Sequence, residues 1–285
     1  MTDDDSATSN GWENWTGRTT TSSVVLDPDQ ANRMAVTLDR SPDFDAGDPL
    51  PPGWHWLYFH DLVAASALGP DGHPAPGVTM PPVPLERRMW AAGSLTFDHP
   101  PCLGDTLTRF STIASVVAKR GRTGPLFFVT VEHHLQAKGR SSIREQQTIV
   151  YREAELGSSS EAAPQARTDA DSSQRWVLDS TALFRYSALT FNGHRIHYDV
   201  DYARDVEGYR GLVVHGPLLA TLLMDLAQVH GGALAAFSYR ARSPLFAPAE
   251  LATNVRRDSG SSALWATSTD GRLVMDATAT YQETS

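Results

Sequence analysis

The densest run of reactive side chains in the sequence is Phe191-Asn192-Gly193-His194-Arg195-Ile196-His197-Tyr198-Asp199. Imidazole has an ordinary pKa near 6.5, which suits proton transfer at neutral pH, and a positioned base of this kind contributes about 10²–10⁴ in rate. An amide has no useful proton affinity but both donates and accepts hydrogen bonds. Asn192 and His197, five residues apart, could therefore bring an amide and an imidazole to one small molecule. The run reads as a loop entering a helix, a bend that would let both side chains face one small molecule. Further on, Gly211-Leu212-Val213-Val214-His215-Gly216-Pro217-Leu218-Leu219 opens an apolar helix expected at about 215 to 230. Pro217 suits a first helical turn, and Gly216 leaves an open backbone N–H at the positive end of the dipole, an oxyanion donor. The plainer account of Gly216 is a cap followed by core.

Other chemistries have less behind them. His194 and His197 could pair on a metal, but no Cys or His-Glu-x-x-His pattern completes a ligand set, so no metal is expected. There is no Gly-x-Ser-x-Gly elbow and no Walker or Rossmann loop. Asp199 and Asp201 read as answers to a helix dipole, and His133-His134 as one inward and one solvated residue of a strand. Trp54, Trp56 and Tyr58 either cover an acyl channel or bury a loop on a sheet, the second being the commoner use.

The elements that must position these groups fall into two halves. Asp27-Pro28-Asp29 starts one short helix. Residues 41–84, rich in Pro and Gly, read as a loop-rich cover. Strands are expected at 109–117, 126–135 and 142–151, with a turn at Gly121-Arg122-Thr123-Gly124-Pro125. After a small-polar linker at 157–174 come the apolar helix and strand candidates at 236–243, 249–257 and 262–281. The resulting division is an arm at 1–22 with Trp12 and Trp15 docked on something apolar, a first domain at 23–156 and a catalytic domain at 175–285.

A hydrophobic content of 41% over 285 residues fills a core and excludes disorder as the main state, and a net charge of −9 disfavours nucleic acid. The single cysteine excludes a disulfide framework and agrees with a reducing compartment. The acidic N-terminus is unlike a secretory signal, and no stretch reaches the roughly 20 apolar residues needed to span a bilayer, so a cytoplasmic protein without membrane contact is expected.

The order of Asn, three residues, Ile-His, then His-Gly-Pro-Leu opening an apolar helix resembles the MaoC-like (R)-specific enoyl-thioester hydratases. Their motif Gly-Asp-x-Asn-Pro-Ile-His places Asn192 at the catalytic Asp, His197 at the catalytic His and Gly216 at the oxyanion-hole glycine. Phe-Asn-x-His-Arg-Ile-His-Tyr-Asp is similar to the branch of mesaconyl-CoA and itaconyl-CoA hydratases and mitochondrial 3-hydroxyacyl-thioester dehydratases. Arg87 to Gly93, Cys102 to Asp105 and Glu145 to Tyr151 resemble that branch's first domain. The resemblance implies an α+β double hot-dog fold, two antiparallel sheets each wrapped around a central helix, with one active site.

It further implies hydration of an enoyl-CoA, mesaconyl-C4-CoA or itaconyl-CoA going to citramalyl-CoA, with coenzyme A as part of the substrate and no separate cofactor. A fatty (3R)-3-hydroxyacyl-thioester dehydratase, a silent acyl-thioester-binding module and a thioesterase are the alternatives. A substrate carboxylate calls for an Arg, and Arg185, Arg195 and Arg242 are candidates for it or for a coenzyme A phosphate. Tyr198 is expected as pocket wall and His215 beside the substrate or supporting the start of the helix. A homo-oligomer is compatible with this scheme.

Overall fold

The computed structural model describes residues 11–121, 124–153 and 164–283. In the first half come β1 (Thr19–Val25), α1 (Pro28–Thr37), β2 (Arg87–Phe97), β3 (Thr106–Gly121), β4 (Gly124–Ala137) and β5 (Arg140–Arg152). The second half has β6 (Ser172–Leu178), α2 (Ser180–Thr190), β7 (Leu212–Val213), α3 (Gly216–Gly231) and β8 (Leu234–Ala241). It ends with β9 (Phe246–Ala247), β10 (Ala249–Asp258), β11 (Ser261–Ser268) and β12 (Leu273–Tyr281).

The architecture is the expected double hot-dog, with the two half-sheets fused edge to edge. Their common order is β1-β3-β4-β5-β2-β8-β12-β11-β10-β6, and β7 pairs with β9 beside it. The seam runs antiparallel from Ala92↔Arg240 to Thr96↔Ala236. Fusion removes two edges whose unpaired N–H and C=O groups would otherwise invite other chains.

Helix α3 fills the concavity of the second half, every residue from Leu218 to Ala227 being buried, with β8, β10, β11 and β12 around it. Among the described residues of the first half the one α-helix is the shorter α1, N-capped by Asp27, whose side chain accepts from the Asp29 amide at 3.0 Å. Ala31, Met34 and Ala35 of α1 join Leu107 and Leu135 in the core. A long sheet with a short helix leaves part of its inward face free for a cavity.

Residues 41–84 close over that face, with one-turn 3-10 helices at Trp54–Leu57 and Ala65–Ala67. Trp54 is buried, the Tyr58 hydroxyl donates to Asp27 O, and the Trp56 indole donates to Glu145. These aromatics pin the cover to the sheet.

Several elements differ from the sequence expectation. The arm contains the edge strand β1, paired to β3, while Trp15 is buried and Trp12 packs edge-on against Phe127. The 262–281 segment is two strands, β11 and β12. Ser172–Gln174, expected as the end of the linker, belong to β6, an edge strand whose one fully buried residue is Leu178 and which therefore reads as polar coil. Residues 154–163 of that linker, and Arg122 and Thr123 of the expected turn, lie outside the described residues. Among the described residues no helix is long and apolar enough to cross a membrane.

Candidate active site

A cavity of about 1,020 Å³ opens between the halves, with His73, Arg88 and Trp90 on its wall from the first and Asn192, His194, His197 and Gly216 from the second. The expected loop-into-helix is the reverse. Helix α2, capped by Asp179 on the Ala182 amide, ends at Phe191 with φ 53. A left-handed aromatic residue is uncommon, and this one turns the chain so that the Asn192 amide closes on Ser187 O at 2.8 Å. Asn192 Oδ1 then accepts from the His194 amide at 3.0 Å, an Asx turn that leaves its NH₂ group for the cavity. A single 3-10 turn, Arg195–His197, follows.

His197 is buried, and its Nδ1 lies 2.7 Å from Val213 O. A carbonyl only accepts, so Nδ1 carries the proton and Nε2 keeps the lone pair. The ring stacks on His215 with centroids 3.6 Å apart. His215 in turn has Nε2 2.8 Å from Ser187 Oγ. Burial first, then the charge of His194, pushes His197 down to about 3 against the opposing pull of the Val213 carbonyl. Burial and the neighbouring His197 and His194 likewise depress His215. The stacked pair is therefore neutral at pH 7.

Gly216 begins α3, where the first N–H groups of a helix have no intrahelical acceptor. A Cβ at this position would meet Trp90 Cε3 at 2.8 Å, so the indole leaves room only for glycine. Trp90 itself stacks on Tyr239 of β8 with centroids 4.2 Å apart. The seam of the sheet thus sets the distance between the wall and the helix end.

Several expected ligands stand elsewhere. Arg195 gives Nε and Nη2 to Asp199 Oδ2 at 3.0 and 2.8 Å, Nη1 to Pro70 O at 3.1 Å, and covers the Tyr202 ring. Its guanidinium clamps the cover to the motif loop and is not on the cavity wall. Arg185 is exposed on α2. Tyr198 is 48% exposed, donating to Gly193 O. His215 lies beneath His197 and supports it without reaching the cavity. Arg242 is on the wall, but its guanidinium is paired with Asp276.

Sequence reasoning missed His73, Arg88 and Trp90, because only the folded cover and the strand register bring them to the motif. Asp71, His73 and His194 set one ligand-type atom each within 4.8 Å of one another. Arg88 Nε donates to His73 Nδ1 at 3.0 Å, and a guanidinium so close opposes a metal cation. Asp71 Oδ2 stands 2.9 Å from the same nitrogen. The cover is locked here by backbone: Arg195 N donates to Asp71 O, and a Cβ on Gly72, at φ +87, would fall 2.0 Å from Gly193 O.

A model of the family "Hydroxyacyl-thioester dehydratase type 2" matches residues 53–247. The chain is 41% identical over 94% of its length, and 96% of the relative's, to a mesaconyl-C(4)-CoA hydratase of Chloroflexus aurantiacus. It is 30% identical to the mitochondrial hydroxyacyl-thioester dehydratase type 2 of Schizosaccharomyces pombe, over 62% of this chain and 66% of that one. Among solved structures, a MaoC-like dehydratase from Phytophthora capsici superposes with a TM-score of 0.69 at 16% identity, covering 95% of this chain and 97% of its own.

Proposed function

Since the chain belongs to the hydroxyacyl-thioester dehydratase type 2 family, we propose that it is a hydro-lyase acting on an α,β-unsaturated acyl-CoA. Its substrate in this proposal is mesaconyl-C4-CoA, hydrated to citramalyl-CoA, with itaconyl-CoA feeding in through it; the full-length similarity to a mesaconyl-C(4)-CoA hydratase supports that choice. The observation that carries the activity is one cavity wall bearing both the His197 ring, with Nε2 unprotonated, and the Gly216 amide at the start of α3.

His197 Nε2 takes a proton from a water held by Asn192 while that water's oxygen bonds to the β-carbon. The π electrons move to the thioester, and the Gly216 N–H receives the negative charge on its oxygen; one such donor is worth about 10²–10³ in turnover. The imidazolium then returns its proton to the α-carbon, so water is added and the enzyme is unchanged. Burial makes that imidazolium short-lived, which favours immediate return of the proton. Coenzyme A is carried by the substrate, and these steps use no other cofactor. A reducing, cytoplasmic setting, which the single cysteine supports, and a homo-oligomeric state belong to the same proposal.

A second substrate class, fatty 3-hydroxyacyl thioesters, is favoured by one observation: the cavity continues along the first half past the apolar Ile113, Val131 and Ile149. Following loss of the conjugated thioester absorbance on mesaconyl-C4-CoA and crotonyl-CoA side by side separates the two. Preference for mesaconyl-C4-CoA is expected. Equal or better turnover of crotonyl-CoA assigns the fatty substrate, release of free thiol a thioesterase, and no change with either a silent module.

A further inference from the structure

We propose that Arg88 recognises a carboxylate on the β-carbon of the acyl group, and so selects a dicarboxylic over a plain fatty enoyl thioester; this rests on the function proposed above. Such a carboxylate is bonded to the very carbon that water attacks, and its oxygens lie about 2.5 Å from that carbon by covalent geometry. Its partner must therefore stand beside the catalytic base, and a buried anion requires a cation with hydrogen bonds to match.

Among the described residues four arginines reach the cavity wall: Arg18, Arg88, Arg109 and Arg242. Arg242 is paired with Asp276. Arg18 lies over the Trp15 ring and donates to Asn14 O on the arm. Arg109 belongs to β3, separated from β2 by β4 and β5, about 14 Å across the sheet at the usual strand spacing. Its guanidinium lies over the Phe59 ring with Asp61 4.0 Å away, both on the cover.

Arg88 is two residues from Trp90 on β2 and so projects from the same face, and Trp90 is the side chain against which Gly216 packs. Its contacts lead to the base: Nε donates to His73 Nδ1, the His73 ring is 4.2 Å from His194, and His194 is 5.5 Å from His197. The Tyr151 hydroxyl lies near its guanidinium, whose charge favours the ionised phenol. Among the described residues no carboxylate lies within ion-pair distance of Arg88; Asp71 touches the far side of the exchange, at His73. Tethering through Nε fixes the direction of the guanidinium and leaves N–H groups of its outer edge for a carboxylate.

The test compares mesaconyl-C4-CoA with 3-methylcrotonyl-CoA, in which a methyl replaces the carboxylate, on the full-length protein and on Arg88→Met and Arg88→Lys, with thermal melts to verify folding. Arg88→Met is expected to lower kcat/KM for mesaconyl-C4-CoA by about 10²–10³ and to leave 3-methylcrotonyl-CoA within a few-fold, with Arg88→Lys between. Equal losses on both thioesters would make Arg88 a support for His73 and overturn the recognition role alone, as would an undiminished Arg88→Met. A wild-type protein that hydrates 3-methylcrotonyl-CoA or crotonyl-CoA but not mesaconyl-C4-CoA would overturn the substrate assignment and the role of Arg88 together.

Discussion

With Nδ1 given to Val213, the His197 ring has one nitrogen left for chemistry, and its environment keeps that nitrogen unprotonated far below the usual histidine range. A base whose pKa is depressed from 6.5 to about 3 retains its reactive form as pH falls through 6.5. The acid limb of the kcat/KM profile is therefore expected well below pH 6.5, and a limb at 6.5 would show that the free enzyme's base is solvated. His197→Ala should lower hydration by about 10²–10⁴ with the fold retained; near-normal turnover would remove the ring from the mechanism. Asn192→Asp places a carboxylate where the Asx turn now holds an amide. A negative charge there stabilises a charged imidazole, so the acid limb should move to higher pH while some activity remains. Unchanged kinetics in both the Asp and Ala variants would make the position irrelevant.

At the scale of elements, the site is where three structures end or meet: the αL turn after α2, the first turn of α3, and β2 at the seam. The two portions from the second half were legible in the sequence, because Asn192 and His197 share one short run and Pro217 marks the start of α3. Helix α2 was not, since its apolar residues follow a polar start and only Leu183, Tyr186, Ser187 and Leu189 are buried. Trp90 and Arg88 were not, because their relation to Gly216 exists only once β2 pairs with β8. Gly216→Ala would push a methyl into the indole at 2.8 Å. A loss of about 10²–10³ in kcat is expected, with a smaller change in KM, as for an oxyanion donor. The cover depends on Glu145 of β5, which accepts from His55, Trp56 and Gln147. Burial works against its charge, yet His55, His133 and Gln147 hold the carboxyl down at about 2. Glu145→Leu leaves the buried His55 and the half-buried Trp56 and Gln147 without their acceptor and should lower unfolding free energy by about 3–5 kcal/mol in urea titration; a loss under about 1 kcal/mol would show that the cover is held by its aromatics alone.

Across the whole molecule, the double hot-dog followed from the motif resemblance, whereas fusion into ten continuous strands and the edge strands β1 and β6 did not, because pairing partners far apart in sequence leave no local signature. The fold also concentrates neutral imidazoles, buried at His197 and His215 and half-buried at His73 and His133. Burial depresses His73, His133, His197 and His215, with His133 at about 4 and His197 at about 3. Below 6.5 the unfolded chain binds protons that the folded one refuses, so each ring withdraws stability as pH falls from 6.5 toward its folded value, on the order of 1 kcal/mol by pH 5.5. Glu145, depressed, adds to the loss as pH falls from 4.5 toward about 2. Urea midpoints should therefore drop markedly between pH 7.5 and 5.5, and equal midpoints would mean that these rings titrate normally.

Because the β2–β8 seam joins the halves within one polypeptide and brings Trp90 and Arg88 to the same cavity as His197 and Gly216, the candidate site is assembled at an effective concentration that dilution cannot change. Turnover per molecule should stay constant from micromolar to nanomolar protein, whatever larger assemblies the chain forms.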